Sequence, residues 1–193
     1  MSKFLRTERL VCSLLLALAG LGTAVAGDRV TIVSEGATAG AWSPAPSKVM
    51  LVPGYPASLA DKGEDVCVSV GYLLNRDGTT SDFSLLKSWG SRTPDSVRGR
   101  AHLAVFAQSA AAAVQRWRFV PVQGSRTKPK PVYTAASFAF SNNPATDQTQ
   151  LRARCVITDL ADFIARAQAD AYKRGNLNKG RMDRARVENP PKI

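Results

Sequence analysis

The stretch that decides the fold covers residues 91–140, SRTPDSVRGRAHLAVFAQSAAAAVQRWRFVPVQGSRTKPKPVYTAASFAF. Its first half spaces apolar residues three and four positions apart, which is the spacing of one helix face. These residues are Leu103, Phe106, Ala107, Ala110, Ala111, Val114 and Trp117. Its second half alternates from Val132 to Phe140, which is the period of a strand. The stretch therefore predicts an amphipathic helix that lies across a small sheet and leads into a strand.

The ends of this helix also carry signals. Thr93 is predicted to cap it and Pro94 to be its first residue. Pro121 is predicted to enforce its stop. We expect Trp117 and Phe119 to be core residues that close the helix onto the sheet. Arg116 and Arg118 are expected at the surface, and His102 on the polar side of the helix.

Two strands are predicted before the helix, in addition to the one after it. Residues 65–74 alternate, Asn75-Arg76-Asp77-Gly78 is a strong turn signal, and residues 81–88 return with Phe83 and Leu85 on one face. These residues predict a β-hairpin. The strand after the helix, residues 130–141, begins beside Pro129 and Pro131. Because proline donates no ladder hydrogen bond, we expect that strand at an edge of the sheet, where it could capture an extended peptide.

The first 26 residues have the pattern of a secretory signal peptide. Lys3, Arg6 and Arg9 precede an apolar run over Val11–Ala19, and Ala24-Val25-Ala26 fits a cleavage site. The pattern predicts cleavage after Ala26 and export. The alternative is an uncleaved inner-membrane anchor, although the run is shorter than the roughly 20 apolar residues that a span needs.

The composition and charge limit the classes of function. Of the 193 residues 45% are hydrophobic, which is enough for a core, and the net charge is +11. A basic exported protein meets anionic lipid, peptidoglycan and acidic partner loops, and nucleic acid is not an expected partner. Residues 176–193 form a basic stretch that we expect to be disordered, with binding to an anionic surface as a further hypothesis.

Two cysteines, Cys67 and Cys155, remain after the predicted cleavage. In an oxidising compartment a pair favours a disulfide, which would stabilise the fold by about 4–5 kcal/mol on the chain-entropy model. Two free buried thiols are the alternative. With His102 as the only histidine, a four-ligand zinc site is not expected.

Catalysis has little support in the sequence. One histidine offers no nucleophile–base pair, and no phosphate-binding glycine loop or metal-ligand cluster is present. Asp61, Glu64 and Asp65 are interpreted as a solvated turn before a strand. We therefore expect no catalytic residues, no metal and no cofactor, and a protein that is not an enzyme.

The flanking segments complete the predicted organisation. Residues 27–53 are predicted as an N-terminal extension, with a linker over the Gly/Ala/Ser/Pro-rich stretch 36–46. Residues 142–175 are predicted as a polar loop and a second helix, which Thr158 or Asp159 caps and Gly175 ends. The fold class is α+β: a small antiparallel sheet packed on one helix, with an extra C-terminal helix.

The order of these signals over about residues 54–141 resembles the C-terminal domain of the TonB family. Tyr55-Pro56 matches the start of that domain, and Asp77-Gly78 matches the hairpin turn. The remaining matches follow the helix and the last strand. They are Arg116, Trp117, Phe119, Pro121, Gly124, Phe138 and Phe140.

The resemblance implies a Gram-negative envelope, a periplasmic location, a β-β-α-β unit with one exposed sheet edge, and a partner. That partner is an extended segment of an outer-membrane transporter, or of another envelope protein, added as a strand beside the last strand. The resemblance therefore implies a role linked to TonB-dependent transmembrane transport. The candidate peptide-binding residues are Tyr55, Pro56, Val132, Tyr133, Thr134, Ala135 and Ser137.

Two features depart from the family's energy transducers, which carry an uncleaved membrane helix with a histidine and a long Pro-rich spacer. This N-terminus has no histidine, and only residues 27–53 precede the domain. Three hypotheses follow: a soluble domain that binds a peptide by strand addition, a structural envelope protein that docks to peptidoglycan or anionic lipid through its basic surface, and a true transducer whose N-terminus stays uncleaved.

Overall fold

The structure, a computed structural model, describes residues 30–46, 48–123 and 130–173. The predicted signal peptide, the basic stretch 176–193, Gly124 and Gly175 lie outside the described residues. The strands are β1 Thr31–Ile32, β2 Trp42–Pro44, β3 Val66–Leu74, β4 Thr80–Gly90, β5 Phe119–Pro121 and β6 Val132–Phe140. The α-helices are α1 Val97–Gln115, α2 Gln148–Ala153 and α3 Leu160–Lys173, and two short 3₁₀ turns cover Ala37–Gly40 and Ala57–Lys62.

Four strands form the main sheet in the order β1-β6-β3-β4. Strand β3 runs antiparallel to both β4 and β6, whereas β1 runs parallel to β6. The α+β class and the antiparallel sheet packed on a helix are confirmed. The prediction that β6 is an edge strand was wrong, because β1 pairs with its other side. Pro131 stands before the first residue of β6, so its missing N–H removes no bond from that ladder.

The predicted hairpin of β3 and β4 is confirmed, and its turn depends on Gly78. Gly78 has φ +80°, in the left-handed region, and a Cβ atom there would lie 1.9 Å from the carbonyl oxygen of Phe119. The turn and β5 meet closely, since the Phe119 N–H donates to the Gly78 carbonyl at 2.9 Å. Only glycine fits both the conformation and the contact.

One face of the sheet packs on α1, whose apolar stripe lies against β3 and β4 and reaches Phe140 of β6. Phe106 is fully buried and meets Phe140 edge to face with ring centroids 5.3 Å apart. Trp117 and Phe119 are buried with Tyr72 in a neighbouring cluster, so their predicted core role is confirmed. Among the described residues no helix is long and apolar enough to cross a bilayer.

The helix α1 begins later than the sequence predicts. Its N-cap is Ser96, whose hydroxyl accepts from the Gly99 N–H at 3.0 Å, whereas the predicted cap Thr93 donates its hydroxyl to Glu64. The helix ends at Gln115, and Pro121 lies beyond the stop, in β5. Trp117 turns into the core as soon as the helix ends.

The opposite face of the sheet packs on α2 and α3. The predicted disulfide is present between Cys67 of β3 and Cys155, which follows α2, and it joins residues 88 apart. Asp159 caps α3, since its carboxylate accepts from the Asp162 N–H at 2.9 Å. The short helix α2 was not predicted, although Asp147 caps it at the end of the predicted polar loop. The sheet is therefore covered by helices on both faces.

The Gly/Ala/Ser/Pro-rich stretch expected as a linker packs onto the domain instead. Residues 37–40 form a 3₁₀ turn, and β2 pairs antiparallel with β5 in a second, two-stranded sheet. Trp42 of β2 is 2% exposed in the cluster that holds Trp117. A single buried tryptophan provides the apolar anchor that the surrounding small residues lack.

Candidate functional site

Along β6, alternate residues direct their backbone polar groups away from β3. The Tyr133 carbonyl accepts from the Val33 N–H at 2.9 Å, and the Ser137 N–H donates to a Glu35 carboxylate oxygen at 3.0 Å. The β3–β6 ladder has no register shift, so Ala135 and Ala139 share this direction. We call the backbone groups of Tyr133, Ala135, Ser137 and Ala139 the outer edge of β6.

The first part of the outer edge is covered by β1. Thr31 lies opposite Val132 and Ile32 opposite Tyr133. Val30 and Ile32 pack against the buried cluster of Tyr133, Ala135, Ile157 and Leu160. Ser34, two residues after Ile32, donates its hydroxyl to the Thr158 carbonyl at 2.9 Å. The N-terminal segment is thereby fixed to both β6 and the start of α3.

The middle of the outer edge is held by two side chains. Glu35 accepts from the Ser137 N–H, and the Arg152 Nε–H donates to the Ser137 carbonyl at 2.8 Å. The Arg152 guanidinium also forms an ion pair with Glu35. Together these side chains supply the two hydrogen bonds that a neighbouring strand would otherwise supply at Ser137. The Arg152 side chain is half-exposed.

Beyond Ser137 the outer edge opens onto a cavity of about 580 Å³, which we call the edge groove. Its lining comprises Val52, Ser137, Phe138, Ala139, Gln148, Thr149, Arg152, Ala153 and Val156. Among these residues Val52 is 83% exposed. The Ala139 N–H and C=O face this groove by the alternation of β6. The groove thus combines strand backbone, an exposed valine side chain and the helix α2.

The structure places the predicted site residues in two different regions. Val132, Tyr133, Thr134, Ala135 and Ser137 lie along β6, as the sequence indicates. However, the side chains of Tyr133, Thr134, Ala135 and Ser137 are buried, and burial raises the pKa of Tyr133 to about 12. Tyr133 is therefore neither a solvated residue nor a surface contact. Any contact with the outer edge at these residues is therefore made through the backbone.

Tyr55 and Pro56 do not line the edge groove. The Tyr55 ring meets Phe106 edge to face at 5.1 Å, on the α1 side of the sheet. Its hydroxyl donates to the Glu64 carbonyl at 3.0 Å and accepts from the Glu64 N–H at 3.1 Å. Pro56 stands just before the 3₁₀ turn 57–62. The structure gives Tyr55 a packing role and does not bring it to β6's outer edge.

Glu64 belongs to a buried polar cluster at the start of α1, contrary to the predicted solvated turn. It is 4% exposed, and its carboxylate accepts from the Arg92 N–H at 3.0 Å and the Thr93 hydroxyl at 2.6 Å. His102 Nε2 lies 2.9 Å from its second oxygen, so His102 is not a solvated residue either. Burial raises the pKa of Glu64, but these hydrogen bonds outweigh it and hold the pKa below its ordinary value.

A second cavity, of about 370 Å³, lies beside this cluster. Lys62, Arg92 and Arg98 line it together with Glu64 and His102. Arg92 donates to the Lys62 carbonyl at 3.0 Å, which fixes the turn before β3 to the segment before α1. Within the described ranges, no group of three His, Cys, Asp or Glu side chains is placed to hold a metal ion.

The other edge of the sheet, formed by β4, is less regular than the β6 edge. Strand β4 has a neighbour on one side only among the described strands. Its pairing with β3 shifts register twice, once between Ser69 and Val70 and again between Gly71 and Leu73. Asp82 within β4 has φ +52°, and Lys87 is exposed. A strand with two bulges is a poor template for a further strand.

Sequence reasoning missed Glu35, Arg152 and the edge groove. Glu35 stands just before the stretch interpreted as a linker, within the predicted N-terminal extension, and Arg152 is 117 residues away from it along the chain. One local signal was available, because Asp147 followed by Gln148–Ala153 fits a capped helix that would carry Arg152.

Sequence comparisons identify no family for the chain. No protein-family model matches the chain, and no curated protein matches it. Among solved structures, it is similar to the solution NMR structure of the Pseudomonas aeruginosa TonB CTD, with 24% identity and a TM-score of 0.41. That likeness covers 54% of this chain and 90% of the other.

Proposed function

We propose that the protein is a non-catalytic binding module that takes up an extended peptide by strand addition at the outer edge of β6. The observation that carries the proposal is that this edge already bonds a parallel strand, β1, and continues past it into the edge groove. Main-chain hydrogen bonds would supply affinity, and side-chain positions beside the strand would supply selectivity.

The local geometry fits such an occupant. At Ser137 the backbone is satisfied by the Glu35 and Arg152 side chains. The half-exposed Arg152 side chain can move aside at lower cost than a packed strand. Further along, Val52 offers exposed apolar surface next to Ala139. A peptide strand there would cover that surface and pair with the Ala139 backbone.

The location and partner belong to the same proposal and are supported by the sequence. The signal-like N-terminus and the order of TonB-like motifs favour a periplasmic protein. Its partner would then be an extended segment of an outer-membrane transporter or another envelope protein. The alternative, docking to peptidoglycan or anionic lipid, depends on residues 176–193, which lie outside the described residues.

The test compares two substitutions at one position. Ser137→Pro removes an N–H that faces the outer edge and donates to Glu35 rather than to β3, whereas Ser137→Ala keeps it. A displayed library of ten-residue peptides is selected on the full-length protein, and affinities of the selected peptides are measured by calorimetry. We expect Ser137→Pro to weaken binding at least about tenfold and Ser137→Ala to change it little.

Thermal unfolding serves as the control for both variants. A cooperative transition in Ser137→Pro shows that the fold survives, so that lost binding reports on the edge. If selected peptides bind the folded proline variant as tightly as the wild type, strand addition at β6 is refuted.

A further inference from the structure

The segment of residues 30–35 occupies the outer edge of β6 in a way that resembles a bound ligand. Its strand part, β1, is two residues long. Immediately after Glu35 the chain leaves β6, because Gly36 has φ +83° and begins the 3₁₀ turn of residues 37–40. The segment therefore covers the edge only as far as Ser137 and cannot enter the edge groove.

The contacts of this segment form a recognisable pattern. Val30 and Ile32, two residues apart, pack into the cluster of Ile157 and Leu160. Three residues after Ile32, the Glu35 carboxylate bonds the Ser137 N–H and pairs with Arg152. The segment runs parallel to β6. The features of the bound segment are thus its direction along β6, the spacing of its two apolar residues and its one carboxylate.

Building on the proposed function, we propose that residues 30–35 are a built-in competitor standing where the partner strand binds. The partner is then an extended peptide that runs parallel to β6. It carries apolar side chains two residues apart and a carboxylate three residues after the second of them. Arg152 binds that carboxylate once Glu35 has left.

The partner has a contact that the competitor lacks. A peptide that continues past the position of Glu35 without turning would pair with Ala139 and lie against Val52 in the edge groove. The internal segment has the advantage of being part of the same chain. Because the two bind the same groups, weakening the internal strand must raise the apparent affinity for the peptide.

The experiment weakens the competitor in the full-length protein. Val33→Pro removes the N–H that donates to Tyr133, and Val33→Ala is the matched control that keeps it. Glu35→Gln is a second variant that weakens the same segment from its other end. The probe is a labelled ten-residue peptide with the sequence of residues 28–35 followed by Val-Thr, and the control probe carries Lys in place of its Glu.

We expect the probe to bind Val33→Pro roughly tenfold more tightly than the wild type, and Val33→Ala like the wild type. The Lys probe should bind at least about tenfold more weakly than the Glu probe. In Arg152→Ala that preference should disappear. Thermal unfolding of every variant separates these effects from a damaged fold.

Two results would overturn the inference and leave the proposed function intact. One is equal binding of the probe to Val33→Pro, Glu35→Gln and the wild type, while library-selected peptides still depend on Ser137. The other is a dimer of Val33→Pro in sedimentation, which would make a second copy of the chain the occupant. If no peptide of any sequence binds in a Ser137-dependent way, the proposed function itself fails.

Discussion

The sheet ends in β4 on one side and in β6 with its short cover β1 on the other, and the two sides differ in regularity. Strand β4 has two register shifts, a left-handed residue at Asp82 and an exposed Lys87. Strand β6 pairs with β3 without any shift over its whole length. Its outer edge is a regular row of backbone groups.

The two sides of the sheet avoid unwanted pairing in different ways. An irregular, charged edge offers no continuous template, so β4 needs no cover. A regular edge must be covered, and here the cover consists of β1, Glu35 and Arg152. We infer that β4 is closed to strand addition by its own shape, whereas β6 is closed by a segment that can leave.

The largest expected effect comes from removing the disulfide that holds α2 beside β6. The double substitution Cys67→Ala and Cys155→Ala opens a loop of 88 residues and should lower the free energy of unfolding by about 4–5 kcal/mol. Urea unfolding gives this value. Native-state hydrogen exchange should then accelerate more in β6, next to the freed α2, than in β4.

Reduction of the wild-type protein provides the control for that experiment. The reduced protein should lose nearly as much stability as the double variant. A loss below about 1 kcal/mol in both would show that the bond does not hold the C-terminal helices in place.

The next largest effect on stability should come from the turn at Gly78, on the β4 side of the sheet. Gly78→Ala combines a positive φ with a backbone clash against Phe119 and should cost about 3 kcal/mol or more. Gly63→Ala is the matched control, since Gly63 has φ +54° but open space around it, and should cost about 1 kcal/mol. Equal losses in the two variants would mean that the contact between the turn and β5 is unimportant.

Glu64 stands two residues before β3, and its carboxylate binds the segment that joins β4 to α1. Its pKa in the folded protein lies below its ordinary value of 4.5, so its contribution is complete above about pH 4.5 and is lost as the pH falls through the folded pKa. We expect the free energy of unfolding to decrease in acid as this group takes up its proton. Thermal unfolding between pH 3 and 6 measures it against the Glu64→Gln variant, whose pH profile should be flatter; identical profiles would remove Glu64 as the cause.

The smallest effect on stability should come from the exposed charge of β4. Lys87→Thr is expected to change the free energy of unfolding by less than about 0.5 kcal/mol. It should nevertheless promote weak association at high concentration, because a gatekeeping charge is gone. Sedimentation equilibrium tests this against Lys48→Thr, an exposed lysine outside the strands; the same association in both variants would show that the β4 edge is not responsible.

Local signals in the sequence predicted the hairpin, the apolar stripe of α1 and the core role of Trp117. The cysteine pair followed from the expected compartment. The pairing of β1 with β6 was not predictable in this way, because two-residue strands have no period and Ile32 meets its partner Tyr133 about one hundred residues later in the chain. The prolines that precede β6 led to the wrong prediction of an edge strand, because they stand before its hydrogen-bonded ladder begins.

The same reasoning explains why the candidate site was only partly predicted. The strand that carries the site was identified. The two side chains that hold its outer edge at Ser137 were not, because Glu35 stands in a stretch of small residues and Arg152 in a helix of six residues. Tyr55 was assigned to the site by resemblance, whereas its hydroxyl is used in fixing Glu64. The contacts at Ser137 and the role of Tyr55 both depend on segments that are distant along the chain. A single sequence does not show such contacts directly.

Amide hydrogen exchange by NMR of the full-length protein, with and without a library-selected peptide, shows directly which strand edge the peptide covers. We expect the peptide to slow exchange at Ala139, whose N–H faces the edge groove, and to leave the amides of β4 unchanged. Protection along β4, or tight binding with no change at Ala139, would rule out strand addition at β6.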